Sequence, residues 1–215
     1  MRTPTAPDHL RGQRPLLLAG LAAPVVLVAG VVIAGFTWPS YRHRTQNISD
    51  LGGTTAPAAI VQNATFVLFG VLVVAFAVGL RRSHLGRSAT SGPLLVGAFG
   101  FMAVIQGFTP CTPGCAEATL MDLVHVLAAV TGFLVVTAAM LLLWRAERTA
   151  DVPATQRAYS AWIGVGALGL LIAWFAAGAV DPDRWHAGVH QRLLVAAILI
   201  WLGVTAARLL RSTDA

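Results

Sequence analysis

Six long apolar segments dominate the sequence and limit the folds that it can form. Each is close to the ~20 residues that a helix needs to cross a ~30 Å hydrocarbon core. Because an apolar segment in a bilayer must satisfy its backbone hydrogen bonds internally, helices are favoured over lone strands. The sequence therefore predicts an all-α, six-span transmembrane helical bundle, with spans at Pro15–Trp38, Pro57–Leu80, Gly92–Thr109, Met121–Trp144, Ala161–Val180 and Val189–Leu210. A single domain, 15–211, is expected to hold all six spans, between a cytoplasmic N-terminal segment 1–14 and a cytoplasmic C-terminal tail 212–215.

The composition excludes the usual classes of soluble protein. Charged residues make up only 11% of the 215 residues and hydrophobic residues 56%, whereas soluble domains contain about 25% charged residues. The net charge of +6 would ordinarily suggest a nucleic-acid partner. Since the basic residues lie in short patches between the apolar segments, no nucleic-acid partner is expected, and the lipid bilayer is the predicted partner.

The arginines predict how the chain lies in the membrane. All 15 basic residues are Arg. Eleven lie on one side of the predicted membrane, in the N-terminal segment, in the loops 81–91 and 145–160, and at the C-terminal end of the sixth span; four lie on the other side, Arg42, Arg44, Arg184 and Arg192. Because Arg-rich loops stay in the cytoplasm, both termini are predicted to be cytoplasmic. Together with a composition typical of GC-rich genomes, this predicts a multi-pass protein of a bacterial cell (plasma) membrane.

Polar side chains collect near the predicted outer ends of the spans. A polar group inside a bilayer costs free energy, so its position is informative about function. We expect an outward-facing polar pocket lined by Asp50, Asn63, Gln106, Asp122, His125, His190, Gln191 and Arg192. The alternative is that residues near span ends are simply hydrated, which explains Asn63 and His125 less well than the others.

Asp122 and His125 are candidates for acid–base catalysis. Their i, i+3 spacing places them on one face of a helix. An Asp can orient a His and raise its basicity, as in catalytic and metal-ligand pairs. The alternative is a structural hydrogen bond that ties the fourth span to Asn63 or Gln106.

Three histidines offer a metal site as an alternative to the expected absence of a cofactor. His186 and His190 have the i, i+4 spacing with which two imidazoles share one zinc on a helix. His125 could supply a third ligand and leave one position open for water. This arrangement resembles the membrane hydrolase superfamily of alkaline ceramidases and progestin-adipoQ receptors, whose seventh span and further motifs are missing here. A second alternative is a haem held between His125 and His190.

Cys111 and Cys115 lie four residues apart in one predicted outer loop. The intervening Pro113-Gly114 favours a turn that could bring the two sulfurs together. An oxidising compartment permits a disulfide, and a redox centre would more typically have the spacing C-x-x-C. The sequence therefore predicts a structural disulfide.

Several short motifs resemble the bacterial and archaeal membrane family called domain of unknown function 998. The motifs are Ile48 to Gly52 (ISDLG), a Pro followed by an Asn-bearing second span, Phe108 to Pro110 (FTP), His125 with Ala128, and Gly188 to Arg192 (GVHQR). The resemblance covers most of the chain and implies a similar number of spans with no assigned activity. It implies that the matching motif positions are Ser49, Asp50, Gly52, Asn63, His125, Gln191 and Arg192. The two cysteines depart from the pattern of the family.

The function expected from these observations is a binding, lipid-handling or accessory role, with a lipid or small molecule in the outer pocket. The alternative is a metal-dependent hydrolase that acts on a lipid or an amide at the outer leaflet. A small transporter is a third reading. It is disfavoured because the inner halves of the spans carry few polar residues and no broken helix is evident near the midplane.

Overall fold

The computed structural model describes residues 13–83, 91–149, 154–180 and 187–214 and contains six long helices. They are α1 Arg14–Phe36, α2 Ala59–Arg82, α3 Ser91–Phe108, α4 Leu120–Thr149, α5 Ala154–Val180 and α6 Ala187–Asp214. All six are long and apolar enough to cross a membrane, and the residues described include no strand. The all-α, six-span fold predicted from the sequence is therefore confirmed, while the domain limits stay a prediction.

The helix ends show where apolar length is a good guide and where it is not. The first three helices end within two residues of the predicted spans. Helix α4 continues beyond the predicted end at Trp144, and α5 begins before the predicted start at Ala161. The predicted loop 145–160 is therefore too long, because Arg and Glu continue a helix readily after its apolar part has ended. Helix α6 likewise continues to Asp214, into the predicted tail.

The six helices form a closed ring. Each helix packs against its neighbours along the chain, and α1 packs against α6. Consecutive helices run in opposite directions, as expected for short connections. One end of the ring, which we call the polar end, therefore holds the segment 37–58, the segment 109–119 and the start of α6.

Apolar side chains cover both the inside and the outside of the ring. The buried core includes Val73 and Phe76 on α2, Met140 on α4 and Trp201 on α6. The outward faces carry large exposed apolar side chains, as expected of helices in contact with lipid tails; these include Val25, Ile33, Leu68, Trp162 and Ile172.

Helices α2 and α3 come closest at Gly70 and Gly100. A Cβ atom placed on Gly100 would lie 2.7 Å from the carbonyl oxygen of Gly70, and one placed on Gly70 would meet the carbonyl oxygen of Gly100. Small residues allow this approach, which is the usual way in which helices associate inside membranes. Any side chain here would push the two backbones apart.

We predict that Gly100→Ala lowers the free energy of unfolding by about 1–3 kcal/mol, the usual cost of overpacking. The matched control is Gly166→Ala on α5, because a Cβ atom at Gly166 would have no neighbour within 4 Å. Thermal unfolding of the purified protein in detergent compares the two variants. Equal melting temperatures would contradict the close packing of α2 against α3.

Candidate functional site

A cavity of about 500 Å³, including the part that is open to the surroundings, lies inside the ring. Five helices line it, and none of the described side chains of α5 is among the lining residues. Most of the lining is apolar: Leu27, Ile48, Phe66, Phe69, Phe99, Ala103, Phe133, Val195, Ile198 and Leu199. The polar lining residues are Ser49, Gln106 and Gln191, and no charged side chain is among the residues that line this cavity.

The polar and apolar parts of the cavity are separated along the ring axis. On α3, Gln106 lies nearer the polar end than Ala103 and Phe99. On α6, Gln191 lies nearer that end than Leu199, and the helical rise makes this separation about 12 Å. The cavity is therefore amphipathic, with hydrogen-bonding groups near the polar end and an apolar part below them.

A 3-10 helix, Ile48–Gly52, closes the cavity at its polar end. It lies within a longer segment, residues 41–54, which we call the cap loop. Gln191 Oε1 accepts a hydrogen bond of 2.6 Å from Ile48 N at the start of the 3-10 helix. Asn63 Nδ2 donates a hydrogen bond of 3.0 Å to Gly52 O at its other end. A Cβ atom on Gly52 would overlap Asn63 Oδ1, so a side chain here would displace the Asn63 amide.

Asp50 stabilises the same turn from within the cap loop. Its Oδ2 accepts a hydrogen bond of 2.8 Å from Asn47 N. A carboxylate at the start of a helix is favourably placed for the free backbone N–H groups there. The ISDLG motif is thus a short turn whose polar groups hold it in one shape.

Arg192 joins the cap loop to the start of α6. Its Nη1 donates hydrogen bonds to the carbonyl oxygens of His43, Gln46 and Gly188 at 2.7, 2.8 and 3.0 Å. A Cβ atom on Gly188 would collide with the carbonyl oxygens of His43 and Gln46, so the helix and the loop lie backbone to backbone. The guanidinium group therefore satisfies the carbonyl groups that meet at this close approach.

Tyr41 completes this connection. Its hydroxyl accepts a hydrogen bond of 2.5 Å from Arg192 Nη2 and donates one of 2.6 Å to Asn47 O. Burial raises the pKa of the Tyr41 phenol above its ordinary value of 10.0, although the Arg192 charge acts in the opposite direction. The phenol therefore keeps its proton at neutral pH and can donate to Asn47.

A second loop, residues 109–119, contains a disulfide between Cys111 and Cys115; we call it the disulfide loop. Asp122 accepts hydrogen bonds from Thr112 N and Oγ1 at 2.8 and 2.9 Å, and from Thr119 N at 3.1 Å. Thr119 Oγ1 in turn accepts a hydrogen bond from Asp122 N. Such a reciprocal pair is a common way of starting a helix. Asp122 thus begins α4 and fixes the disulfide loop.

His125 has a different partner. Its Nδ1 lies 2.7 Å from Thr109 O, and since a carbonyl oxygen only accepts, Nδ1 carries the proton. Its Nε2 is buried and has no hydrogen-bond partner among the described residues. The expected structural bond from the fourth span to Asn63 or Gln106 is wrong, because Asp122 and His125 bind the disulfide loop instead. Nor are the two side chains bonded to each other.

The two loops are connected through their backbones. Thr54 N, at the end of the cap loop, donates a hydrogen bond of 2.9 Å to Cys111 O. The 3-10 helix above the cavity is therefore held by α2 and α6 directly, and by α4 through the disulfide loop.

The described residues offer little support for a metal. Their one cluster of potential ligands with suitable spacing comprises Cys111, Cys115 and Asp122. Because its sulfurs are bonded to each other, this cluster indicates no metal. His125 and His190 are in no such cluster within the described part of the chain, and His186 lies outside it. The zinc set and the haem pair stay predictions.

The eight residues expected to line the outer pocket are divided between the cavity and its supports. Gln106 and Gln191 line the cavity. His190 is half-buried beside Gln191 on α6. The remaining five hold the cap loop or the disulfide loop in place: Asp50, Asn63, Asp122, His125 and Arg192.

The sequence analysis missed Gln62. Its side chain is fully buried, and both its Oε1 and its Nε2 lack a hydrogen-bond partner among the described residues. It lies four residues before Phe66 and seven before Phe69, so it shares the helix face that lines the cavity. The rule that selected Asn63, a polar residue within an apolar span, could have selected Gln62 as well.

Comparison with known proteins agrees with the resemblance found in the sequence. The model of the family described as "Protein of unknown function (DUF998)" matches residues 21–208. Neither the curated proteins nor the solved structures give a match. The matched region extends from α1 to α6 and includes both loops of the polar end.

We predict that Arg192→Lys loosens the cap loop. Lysine cannot reproduce the planar fork, so about 2–3 kcal/mol of stability should be lost with the charge-assisted bonds. Limited trypsin digestion reads out the change, because Arg42 and Arg44 are exposed in the cap loop. Cleavage there should become faster, whereas the control Arg42→Lys, which keeps a cleavage site, should leave its rate unchanged. Equal rates for the two variants would refute the role of Arg192.

We also predict that the contributions of Asp122 and Thr112 to the stability of the protein are coupled. Asp122→Ala should lower the melting temperature by several degrees, and adding Thr112→Ala should cost little more, because the first change already removes their shared bonds. A double-mutant cycle on thermal unfolding measures this coupling. Fully additive effects would show that the two residues stabilise the protein independently.

Proposed function

The chain belongs to the DUF998 family of membrane proteins, and we propose that it binds a lipid in the cavity beneath the cap loop. The observation that carries this proposal is the amphipathic cavity itself, with Ser49, Gln106 and Gln191 at one end and an apolar part below them.

The walls of the cavity favour an apolar chain. Phe66, Phe69, Phe99 and Phe133, from three different helices, surround it. An apolar space inside a bundle loses contacts that a close-packed interior would make, which costs stability when nothing fills it. A lipid chain would restore those contacts.

The surroundings of the cavity favour binding over catalysis. Both carboxylate oxygens of Asp122 accept hydrogen bonds from the disulfide loop, and His125 Nδ1 binds Thr109 O. The strongly polar groups at this end hold loops in place, which suits a closed binding site. The hydrolase alternative receives no comparable support.

We place the polar end on the outer side of the cell membrane. The arginine distribution supports this orientation. The Cys111–Cys115 disulfide agrees with it, because disulfides persist on the oxidising side of a membrane. The bound lipid would then come from the outer leaflet.

The test uses bromododecane, an alkane whose bromine quenches tryptophan fluorescence. Trp174 packs against the cavity-lining Phe133 at 5.6 Å between ring centres, and Trp201 is buried two residues after Leu199. We predict saturable quenching in the purified protein. Ala103→Leu should lower the affinity about tenfold, because added methyl groups occupy the space of the chain.

The matched control is Ala64→Leu, the same substitution on the exposed face of α2. It should leave the quenching curve unchanged. Quenching that does not saturate, or that responds equally to both substitutions, would show that the alkane meets the tryptophans from the outside and would refute the lipid site.

A further inference from the structure

We infer that the lipid has an uncharged, hydroxyl-bearing head, which lies among Ser49, Gln62, Gln106 and Gln191. This inference rests on the proposed lipid site and specifies its ligand. The head would occupy the polar end of the cavity, directly beneath the 3-10 helix, and the chain would extend toward Phe133.

Gln62 gives the first reason. A buried amide with neither its oxygen nor its nitrogen bonded is rare, since nearly all buried polar groups have partners. The side chain lies on the α2 face that carries Phe66 and Phe69, and its Cγ is near Gly52 of the cap loop. A ligand that both donates and accepts would satisfy this amide.

The three polar lining residues also have hydrogen-bonding capacity to spare. Ser49 Oγ makes no hydrogen bond to any of the residues described. Gln106 Nε2 has only a long contact of 3.5 Å to Met102 O, which is near the limit for a hydrogen bond. Gln191 uses its Oε1 for Ile48 N, which leaves its Nε2 to donate. The group therefore offers both donors and acceptors, none of them charged.

Two charged side chains at the polar end, Arg192 and Asp122, are engaged by the loops. Arg192 donates to carbonyl groups and to Tyr41, and Asp122 accepts from the disulfide loop. A phosphate, carboxylate or ammonium head would lose its hydration in this cavity, and the described lining residues offer it no opposite charge. A hydroxyl group loses much less, and it matches a lining that both donates and accepts.

The test compares three probes with the same chain and the same bromine: bromododecane, ω-bromododecanol and ω-bromododecanoate. Tryptophan quenching is measured at a pH well above the carboxyl pKa, so that the acid is ionised. We expect the alcohol to bind about tenfold more tightly than either of the others, because one well-placed buried hydrogen bond changes an equilibrium by about that factor.

Gln62→Leu provides a readout that a purely structural glutamine would not give. It should abolish the preference for the alcohol over the alkane, and it should raise the melting temperature of the delipidated protein, because it removes an unpaired buried amide. A glutamine that stabilises the fold through its own hydrogen bonds would instead lower that temperature. The control Ala64→Leu should alter neither the preference nor the melting temperature.

The outcomes separate this inference from the proposed function. If the carboxylate or the alkane binds as tightly as the alcohol, the cavity takes lipid chains but the inferred head is wrong. If no probe gives saturable quenching that Ala103→Leu weakens, the lipid site itself is refuted. Alcohol-selective binding that Gln62→Leu removes supports both.

Discussion

The hydrogen bonds of Arg192 and Gln191 to the cap loop are the interactions on which the rest of the site depends. Backbone that packs against a helical bundle needs partners for the polar groups that it turns toward the bundle. Gln191 satisfies Ile48 N, and Arg192 satisfies the carbonyl groups of His43 and Gln46. With these bonds in place the 3-10 helix stays above the cavity, and Ile48 and Ser49 become part of its lining.

The polar residues at the polar end of the ring form two groups: those whose hydrogen bonds are all made within the protein, and those with hydrogen-bonding groups left unfilled. Asp122 and Arg192 have several short bonds to neighbouring loops, so their charges stabilise the fold. Within the described part of the chain, the Gln62 side chain has no hydrogen-bond partner, and Gln106 has one weak contact. Polar groups with unfilled hydrogen bonds, such as Gln62 and Gln106, are the ones suited to recognise a ligand, because they gain new hydrogen bonds when it enters. Charge is thus used to build the site, and neutral groups remain for the ligand.

Apolar length predicted the fold well, because a membrane span needs little more than about 20 apolar residues. It failed at Trp144 and Ala161, where the helices continue beyond their apolar parts. The sequence analysis also selected Gln106 and Gln191, which line the cavity. The sequence could not distinguish the residues that line the cavity from those that hold the loops, because the difference depends on the loop conformation. Asp122, for example, binds Thr112, which lies ten residues earlier in a loop. Gln62 was missed although the rule that selected Asn63 also applies to it; only the structure shows that its amide is buried without a partner among the described residues.

The connections of the cap loop also determine when the site can form. The bond from Ile48 to Gln191 joins residues 143 positions apart, and that from Arg192 to His43 joins residues 149 apart. Both connect the segment after α1 to the start of α6, the two helices whose contact closes the ring. Closing contacts so distant in sequence costs more chain entropy while the intervening helices are not yet packed. The cavity walls from α1 to α4 can therefore assemble before the cap loop is fixed, and the binding site is complete only when the last helix has packed against the first.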